Sequence, residues 1–451
     1  MKDQTLLRGQ SVNREIYILV YEVSITTLYT WLMVKAKYGR SARVTIFFLD
    51  NSEWPQKRIK KYAASFLIRL GVFSPLSQFL ASRHRFFQRT SDTLELDNNS
   101  LKMMAENSAV YFSSSVFVDN LHADLSRYYK LAQQGQADAV ELLSACGDNP
   151  EFYVYNGRFC YVFAMTSLLK KNRAKVYTVE RTNRLRLFNY YSSSECPWEI
   201  KSFVREAKEE LSGCSDVQLK DICSFYDERM RGLDIDGRRY GQALGTSPQA
   251  TQLQGNSYMY DITYYTASLD EFVGFGIDIQ GVINHEKQTL DVLEEISALG
   301  RKVCIRIHPN TVHKAQADQN FWLDKARHLS GKGLEVISPT SKISSYSIMH
   351  SSHIIFTNGS TIGAESSYCG KRSYSLTKIS LSYHAGLQPH IDIYSLTARQ
   401  ILCLIEAPES CVTPSMRDFA LFAYLVSRRG LAPQSLIKQS LSSIASRALH
   451  G

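Results

Sequence analysis

The sequence predicts an α/β fold of two lobes with parallel sheets, followed by a C-terminal helical tail. Short runs rich in isoleucine, valine and tyrosine alternate with helix-like segments, first over about 15–181 and again over about 258–376. This alternation is typical of βαβ units, whose strands lie parallel in one sheet. A polar, glycine-rich stretch near 230–256 separates the two series, and 451 residues are enough for two or three domains.

Five strands are predicted in the first lobe: EIYILVYEV (15–23), RVTIFFLD (43–50), VYFSSSVF (110–117), EFYVYNGR (151–158) and KVYTVER (175–181). Helices are predicted between the first two strands and between the last two. A charged helix follows at 199–212, and the polar stretch after it is typical of a loop, a lid or an interdomain segment. We assign 1–250 to this lobe, with a linker at about 199–257.

Five more strands are predicted in the second lobe: YMYDITYYTAS (258–268), KVCIRIHPN (302–310), GLEVISP (333–339), HIIFTNGS (353–360) and RSYSL (372–376). The helix at 286–300 ends at Gly300, because glycine readily takes the left-handed conformation that stops helices. Short helices are predicted at 344–352 and over TIGAESSYCG. We assign 258–400 to this lobe and 401–451 to a helical tail.

Polar motifs follow several of these strands, where open parallel sheets bind their ligands. In RIHPN, His308 comes before a proline that stops the strand, and it is suited to donate to a phosphate or to stabilise a leaving phosphate. Arg306, two residues earlier, is predicted on the same side of the strand. A capped strand end with a surface histidine is the alternative for this motif.

TNGSTIGAE has the chemistry of an anion site at the start of a helix. Gly359 permits a tight turn after Asn358, and the hydroxyls of Ser360 and Thr361 join free backbone N–H groups at the positive end of the helix dipole. Glu365 lies one helical turn after Thr361, where its carboxylate could accept two hydrogen bonds from a ribose diol. An ordinary N-cap and a helical glutamate are the alternative.

Three further motifs offer acid, base or binding groups. In YYTASLDEF, Ser268 is a candidate phosphate contact and Asp270 or Glu271 a candidate base, although ordinary helix capping explains the pattern equally well. In the first lobe, YNGRF supplies Asn156 and Arg158 as candidates for binding the acceptor substrate. TVERTN supplies Glu180 as a candidate general base; a tight turn and a surface ion pair are the alternatives for these two motifs.

Composition and charge narrow the class of protein. The net charge of +9 fits an anionic partner, but the basic residues are dispersed and argue against nucleic-acid binding. No run approaches the ~18 apolar residues that span a bilayer. No signal-peptide core is seen, and the nine cysteines include no CxxC pair, which favours a cytoplasmic location.

The basic amphipathic segment 57–73 is a candidate contact with the inner face of the cytoplasmic membrane. A core-packed surface helix is the alternative for this segment. The sequence has no Walker A loop, no GxGxxG after a strand and no HExxH motif. We therefore expect neither phosphorylation by ATP nor NAD chemistry, and no resident cofactor.

In order and spacing, YNGRF, TVE, YYTASLDEF, RIHPN and SPTSKISSYSIMHSSHIIFTNGSTIGAESSYCGKRSY resemble bacterial capsule polysaccharide biosynthesis proteins and related surface-polysaccharide glycosyltransferases. The resemblance covers about 150–400 and is strongest over 264–375. It implies a GT-B-like fold of two Rossmann-like lobes, with a nucleotide-sugar bound mainly by the second lobe and no obligatory metal. The related Kdo and sialic acid transferases use CMP-sugars.

Carried over by residue, the resemblance implies that His308 and Ser360/Thr361 hold the donor phosphate, with Glu365 at the ribose and Arg306 beside them. It fixes no catalytic base, and the acidic motif that sialyltransferases carry in the first lobe is not recognisable here. The implied acceptor is an oligosaccharide or a lipid-linked glycan. The alternatives are a CDP-glycerol-type glycerophosphotransferase, a nucleotide-sugar epimerase and a non-catalytic polysaccharide biosynthesis or export protein.

Overall fold

The computed structural model describes residues 14–20, 42–48, 95–113, 121–146, 149–155, 157, 159–181, 190–193, 200–231, 259–268, 279–407 and 413–428. Within these residues the strands form two five-stranded sheets, one in each half of the chain. Both sheets are covered by helices, so the fold class is α/β with two Rossmann-like lobes, as predicted. The candidate membrane segment 57–73 lies outside the described residues.

The first sheet contains β1 (Arg14–Val20), β2 (Ala42–Phe48), β3 (Glu151–Tyr155), β4 (Lys175–Arg181) and β5 (Tyr190–Ser193). Their order is β2-β1-β3-β4-β5, and only the last pair is antiparallel. Because the strand order reverses between β1 and β3, the carboxyl ends of those two strands form the topological switch point of this sheet.

Three helices are described in the first lobe: α1 (Asn98–Ser113), α2 (Leu121–Ala145) and α3 (Cys160–Lys171). Phe152 and Val154 of β3 pack with Met165 and Leu168 of α3, and all four side chains are fully buried. Alternate residues of the strand and one stripe of the helix therefore supply a common core.

The prediction of a strand at 110–117 is wrong for residues 110–113, because these belong to helix α1, which ends at Ser113. The segment is rich in β-branched and aromatic residues, which favours a strand locally. However, Leu101, Met104 and Ala105 begin a buried stripe with helical spacing that continues through Ser108. Burial of this stripe against the other two helices outweighs the local preference; residues 114–117 lie outside the described part.

The second sheet contains β6 (Tyr260–Tyr265), β7 (Val303–Arg306), β8 (Glu335–Ile337), β9 (Ser352–Thr357) and β10 (Arg372–Ser375). All neighbouring pairs are parallel, in the order β10-β9-β6-β7-β8. β6 is therefore central, and the switch point lies between β6 and β9.

The described helices that follow the first sheet in the chain are α4 (Ile200–Leu211), α5 (Asp216–Met230), α6 (Ile279–Ala298), α7 (Gln316–Gly331), α8 (Ser345–His350), α9 (Ile362–Tyr368), α10 (Leu381–His384), α11 (Ala398–Glu406) and α12 (Met416–Ala423). A 3-10 turn at Pro309–His313 and a π-helical turn at Tyr424–Arg428 complete them. The helical character expected of the tail holds for α11, α12 and the π-helical turn.

Helices α4 and α5 pack with elements of the second half of the chain. Tyr226 of α5 stacks on Tyr368 of α9, with ring centroids 4.3 Å apart, and its hydroxyl donates to the carbonyl of Phe419 in α12 at 3.1 Å. Phe203 of α4 belongs to the same buried cluster. These contacts join α5 to the C-terminal end of α9 and to α12. The predicted division of the chain at about 250, 258 and 400 stays a prediction.

Candidate functional site

The carboxyl edge of the second sheet brings three of the sequence motifs together. Tyr265 ends β6 and lies in register with Thr357 of β9 on one side and with Arg306 of β7 on the other. Since neighbouring strands are about 4.8 Å apart, the segments that follow β9 and β7 begin roughly 10 Å from each other. The TNGST turn and the HP motif therefore flank the end of β6, with TNGST at the switch point.

The turn after β9 has the backbone shape that its glycine allows. Gly359 has a φ of 82°, in the left-handed region that favours glycine. Ser360 is half-buried and Thr361, the N-cap residue of α9, is exposed. The Thr361 hydroxyl makes no capping hydrogen bond to its own helix. The first N–H groups of α9 and both hydroxyls thus lie at one short turn, as an anion site requires.

Asn358, the first residue of the turn, is buried and hydrogen-bonded to a carboxyl group that belongs to none of the sequence motifs. Its side-chain N–H donates to Glu286 Oε2 at 2.9 Å, and the Tyr264 hydroxyl lies 2.8 and 2.9 Å from the two Glu286 oxygens. Burial raises the pKa of Glu286 to about 7, although both hydrogen bonds act to lower it. Glu286 on α6 thereby ties β6 to the turn after β9.

His308 follows β7 and is oriented by two hydrogen bonds. Its backbone N–H donates to Thr266 Oγ1 at 2.8 Å, and its ring Nδ1 accepts from the Asn310 backbone N–H at 3.2 Å. Because Nδ1 accepts this bond, the neutral ring carries its proton on Nε2. Thr266 comes directly after β6, so this bond fixes the HP motif to the centre of the edge.

Arg306, the last residue of β7, is buried with only 1% of its surface exposed. Its guanidinium donates to the backbone carbonyls of Ser338 and Ser341, and burial lowers its pKa. Among the described residues, no carboxylate pairs with it and its Nε–H has no hydrogen-bond partner. Arg306 thus supports the 338–341 loop at the carboxyl edge and leaves a buried positive charge there.

Ser268 lies three residues after β6, on the same edge. Only 6% of its surface is exposed, and within the described part of the chain its hydroxyl has no hydrogen-bond partner. A buried hydroxyl without a partner is costly, so the position suits a group that a ligand could satisfy. Asp270 and Glu271 lie outside the described residues.

Glu365 is buried in α9 and forms an ion pair with Arg229 of α5. Arg229 Nε donates to Glu365 Oε1 at 3.1 Å, and Arg229 Nη2 donates to Thr361 Oγ1 at 3.4 Å. The one-turn spacing of Thr361 and Glu365 places both on the helical face that meets this guanidinium. Tyr346 of α8 is also near Glu365: burial raises the pKa of that tyrosine, and the charge of Glu365 raises it further.

The candidates of the first lobe are less fully described. Glu180 occupies the sixth position of β4, and its side chain, like Asn156 and Arg158, lies outside the described residues. Gly157 between the latter two has a φ of 68°, and a Cβ there would lie 2.8 Å from the Thr178 methyl. The YNGRF turn therefore requires glycine, and it follows β3 at the switch point of the first sheet.

Two site residues, Glu286 and Arg229, were missed by motif reasoning. Each contacts a motif residue that is far away in the chain, 72 positions for Glu286 and Asn358 and 136 positions for Arg229 and Glu365. Glu286 lies in a long helix with an ordinary amphipathic pattern, and Arg229 lies in the last turn of a charged helix. Neither helical pattern indicates by itself that the residue belongs to a functional site.

No group of three or more histidine, cysteine, aspartate or glutamate side chains is arranged to hold a metal ion in the ranges given above. Over those same ranges, every helix is either too short or too polar to cross a bilayer.

No family model matches the sequence, and no curated protein matches it. Among solved structures, Thermosulfurimonas dismutans KpsC, a β-Kdo 2,4 transferase, is similar with a TM-score of 0.37 and 11% identity over 61% of this chain and 79% of that chain. The glycotransferase of kitacinnamycin gives 0.28 and 11%, over 95% and 99% of the two chains. UDP-N-acetylglucosamine 2-epimerase from Rickettsia bellii gives 0.29 and 11%, over 96% and 98%. These similarities assign no activity to the chain.

Proposed function

We propose that this protein is a glycosyltransferase that moves a sugar from a nucleotide-sugar to a growing bacterial surface polysaccharide, either capsule or lipopolysaccharide. The observation that carries the proposal is the position of two candidate anion-binding motifs on either side of one central strand. The TNGST turn starts α9 at the switch point beside β6, and His308 is hydrogen-bonded to Thr266 at the end of β6.

The charge at this edge supports an anionic ligand. Arg306 is buried without a carboxylate partner among the described residues, and the N-terminus of α9 adds the positive end of a helix dipole. Ser268 contributes a buried hydroxyl without a partner in the same described part. A phosphate held by Ser360, Thr361 and His308 would bind at this positively charged edge of the sheet.

The reaction that fits this arrangement is displacement at the anomeric carbon of the donor. The acceptor hydroxyl oxygen bonds to that carbon, the bond from the carbon to the phosphate oxygen breaks, and its electron pair remains on the phosphate. His308 and the 359–361 turn stabilise the negative charge of the departing nucleotide. A carboxylate, Glu180, Asp270 or Glu271, takes the proton of the hydroxyl.

The finer assignments are also proposals. The donor is a nucleotide-sugar, with a CMP-linked sugar such as Kdo or a sialic-acid-like sugar preferred on the sequence resemblance. Glu365 contacts its ribose, and Asn156 and Arg158 contact an oligosaccharide or lipid-linked acceptor. The protein works in the cytoplasm without metal or cofactor, at the inner face of the cytoplasmic membrane, where 57–73 makes a peripheral contact.

Donor screening tests the reaction class. CMP-Kdo, CMP-sialic acid, UDP-N-acetylglucosamine and CDP-glycerol are each incubated with the protein and with surface polysaccharide, and the transferred group is measured. We expect transfer of a sugar. Transfer of glycerol phosphate would replace the proposal with a glycerophosphotransferase, and nucleotide-sugar isomerisation without acceptor would replace it with an epimerase. No turnover of any donor would favour a non-catalytic protein.

The catalytic base is tested with Glu180→Gln, Asp270→Asn and Glu271→Gln. Each variant removes one carboxylate and keeps the size of the side chain. We expect one of the three to lower the transfer rate at least 100-fold, because proton transfer by a positioned side chain typically contributes 10²–10⁴-fold. Nucleotide affinity, measured by calorimetry, should stay within about threefold in that variant. Three variants with undiminished transfer would exclude all of these carboxylates.

A further inference from the structure

We propose that Arg229 is a positioning residue of the donor site, which neutralises Glu365 so that the adjacent turn can hold a phosphate. The inference rests on the proposed function, since it takes 359–361 as the phosphate turn. It adds a role for α5, a helix that precedes the second sheet in the chain, to a site otherwise built from residues of that sheet and its helices.

The geometry of the contact is that of a two-point clamp. Arg229 donates from Nε to Glu365 and from Nη2 to Thr361, at 3.1 and 3.4 Å. The side chains of Arg229 and Glu365 are 10% and 2% exposed, so the ion pair is largely removed from water. One guanidinium therefore fixes the side chain of Thr361, the last residue of the phosphate turn, and that of Glu365 one helical turn later.

The charge of Glu365 makes such a partner necessary. A buried carboxylate one turn from the N-cap of α9 would repel a phosphate bound at that N-cap, and a low dielectric strengthens the repulsion. Arg229 cancels this charge locally, so the ion pair presents no net charge to the turn. Breaking the buried pair by removing only the arginine leaves an uncompensated negative charge beside the phosphate turn.

Helix α5 packs against α9 next to Arg229, and this packing fixes the position of the guanidinium. Tyr226, one turn before Arg229, stacks on Tyr368 of α9 with an interplanar angle of 11°. The next residue after Arg229, Met230, places its sulfur 3.2 Å from that of Cys369, just past the end of α9. Contacts on both sides of Arg229 thus join α5 to α9, and the position of the guanidinium follows from them.

The test compares nucleotide and nucleoside binding in a double-variant cycle. Calorimetry with CMP, CDP, UDP and GDP, and with cytidine, uridine and guanosine, is applied to the wild type, Arg229→Met, Glu365→Gln and the double variant. Arg229→Lys asks whether charge alone is sufficient. Arg231→Met is the matched control, because Arg231 is an exposed arginine two residues away at the end of α5.

We expect Arg229→Met to weaken the bound nucleotide at least tenfold and its nucleoside less than threefold, with Arg229→Lys in between and Arg231→Met unchanged. In the Glu365→Gln background, Arg229→Met should change nucleotide affinity less than threefold, because there is no charge left to neutralise. If Arg229→Met does not fold, Arg229→Gln takes its place with the same expectations.

Two results overturn the inference while leaving the proposed function intact. Either the wild type binds a nucleotide and Arg229→Met binds it equally well, or the variant loses the same affinity for nucleotide and nucleoside in both backgrounds, as a merely structural residue would. Failure of the wild type to bind any of the four nucleotides would overturn the proposed function, and this inference with it.

Discussion

Glu286 is a buried carboxyl group of this site whose pKa lies well above its ordinary value. Its carboxyl group is fully buried between Tyr264 and Asn358, and burial raises its pKa from 4.5 to about 7. A raised pKa in the folded state means that folding favours the protonated form. This contribution to stability is complete below pH 4.5, where the unfolded chain is protonated too, and it is lost as the pH rises through 7.

Glu286→Gln should therefore flatten the pH dependence of stability. Each unit of pKa difference corresponds to about 1.4 kcal/mol, so the free energy of unfolding of the wild type should fall by about 2–3 kcal/mol relative to the variant between pH 5 and pH 8. Urea unfolding of both proteins at the two pH values measures this difference. Parallel profiles would show that Glu286 does not titrate with the raised pKa.

At the scale of residues, the sequence predicts the parts of the site that depend only on residues adjacent in the chain. Gly359 and Asn358 are recognisable because an Asn-Gly pair after an apolar run marks a turn, and His308 because it precedes a proline at a strand end. The partners that orient these residues, Glu286 and Thr266, depend on which strands become neighbours. That information lies in the register of β6 with β7 and β9, which no local pattern contains.

Among the elements, α9 depends on a close contact at Gly363. A Cβ added there would lie 2.3–2.6 Å from the side-chain amide atoms of Gln388. Gln388 is itself buried and accepts from the Thr357 hydroxyl at 3.2 Å, and it also bonds the hydroxyls of Ser382 and Ser373. The amide cannot move aside without breaking these bonds.

Gly363→Ala should therefore destabilise the protein by about 1–3 kcal/mol, the usual cost of overpacking a well-packed interior. Chemical denaturation measures the free energy of unfolding. Gly331→Ala is the control, because Gly331 also lies in a helix but has no atom within 4 Å of the added methyl group. We expect that control to be neutral or slightly stabilising. Equal stability of Gly363→Ala and the wild type would contradict the close packing of α9.

The elements that the sequence predicted correctly have a strong pattern over their own length. β3, β4 and β6 are short apolar runs bounded by polar turns, and the structure has a strand in each predicted segment. α1 was misassigned at its C-terminal end because aromatic and β-branched residues gather there while the helical stripe lies earlier in the chain. Local preference is a weak guide where tertiary packing decides.

For the whole molecule, the alternation of strands and helices was enough to predict two α/β lobes. The strand orders were not predictable from it, and they matter for function, since they decide which loops meet. The order β10-β9-β6-β7-β8 puts the TNGST and HP motifs on opposite sides of β6. The contact of α5 with α9 likewise depends on the packing of the folded chain, because helix α5 carries no motif of its own.

The measurement that tests the central claim most directly is calorimetric binding of CMP, CDP, UDP and GDP to the wild type, His308→Ala and His313→Ala. His313 is an exposed histidine in the 3-10 turn that follows His308, and it serves as the matched control. We expect at least one nucleotide to bind the wild type and the control equally, and His308→Ala at least tenfold more weakly. Binding of no nucleotide by the wild type, or equal binding by His308→Ala, would contradict a phosphate site at the carboxyl edge of the second sheet.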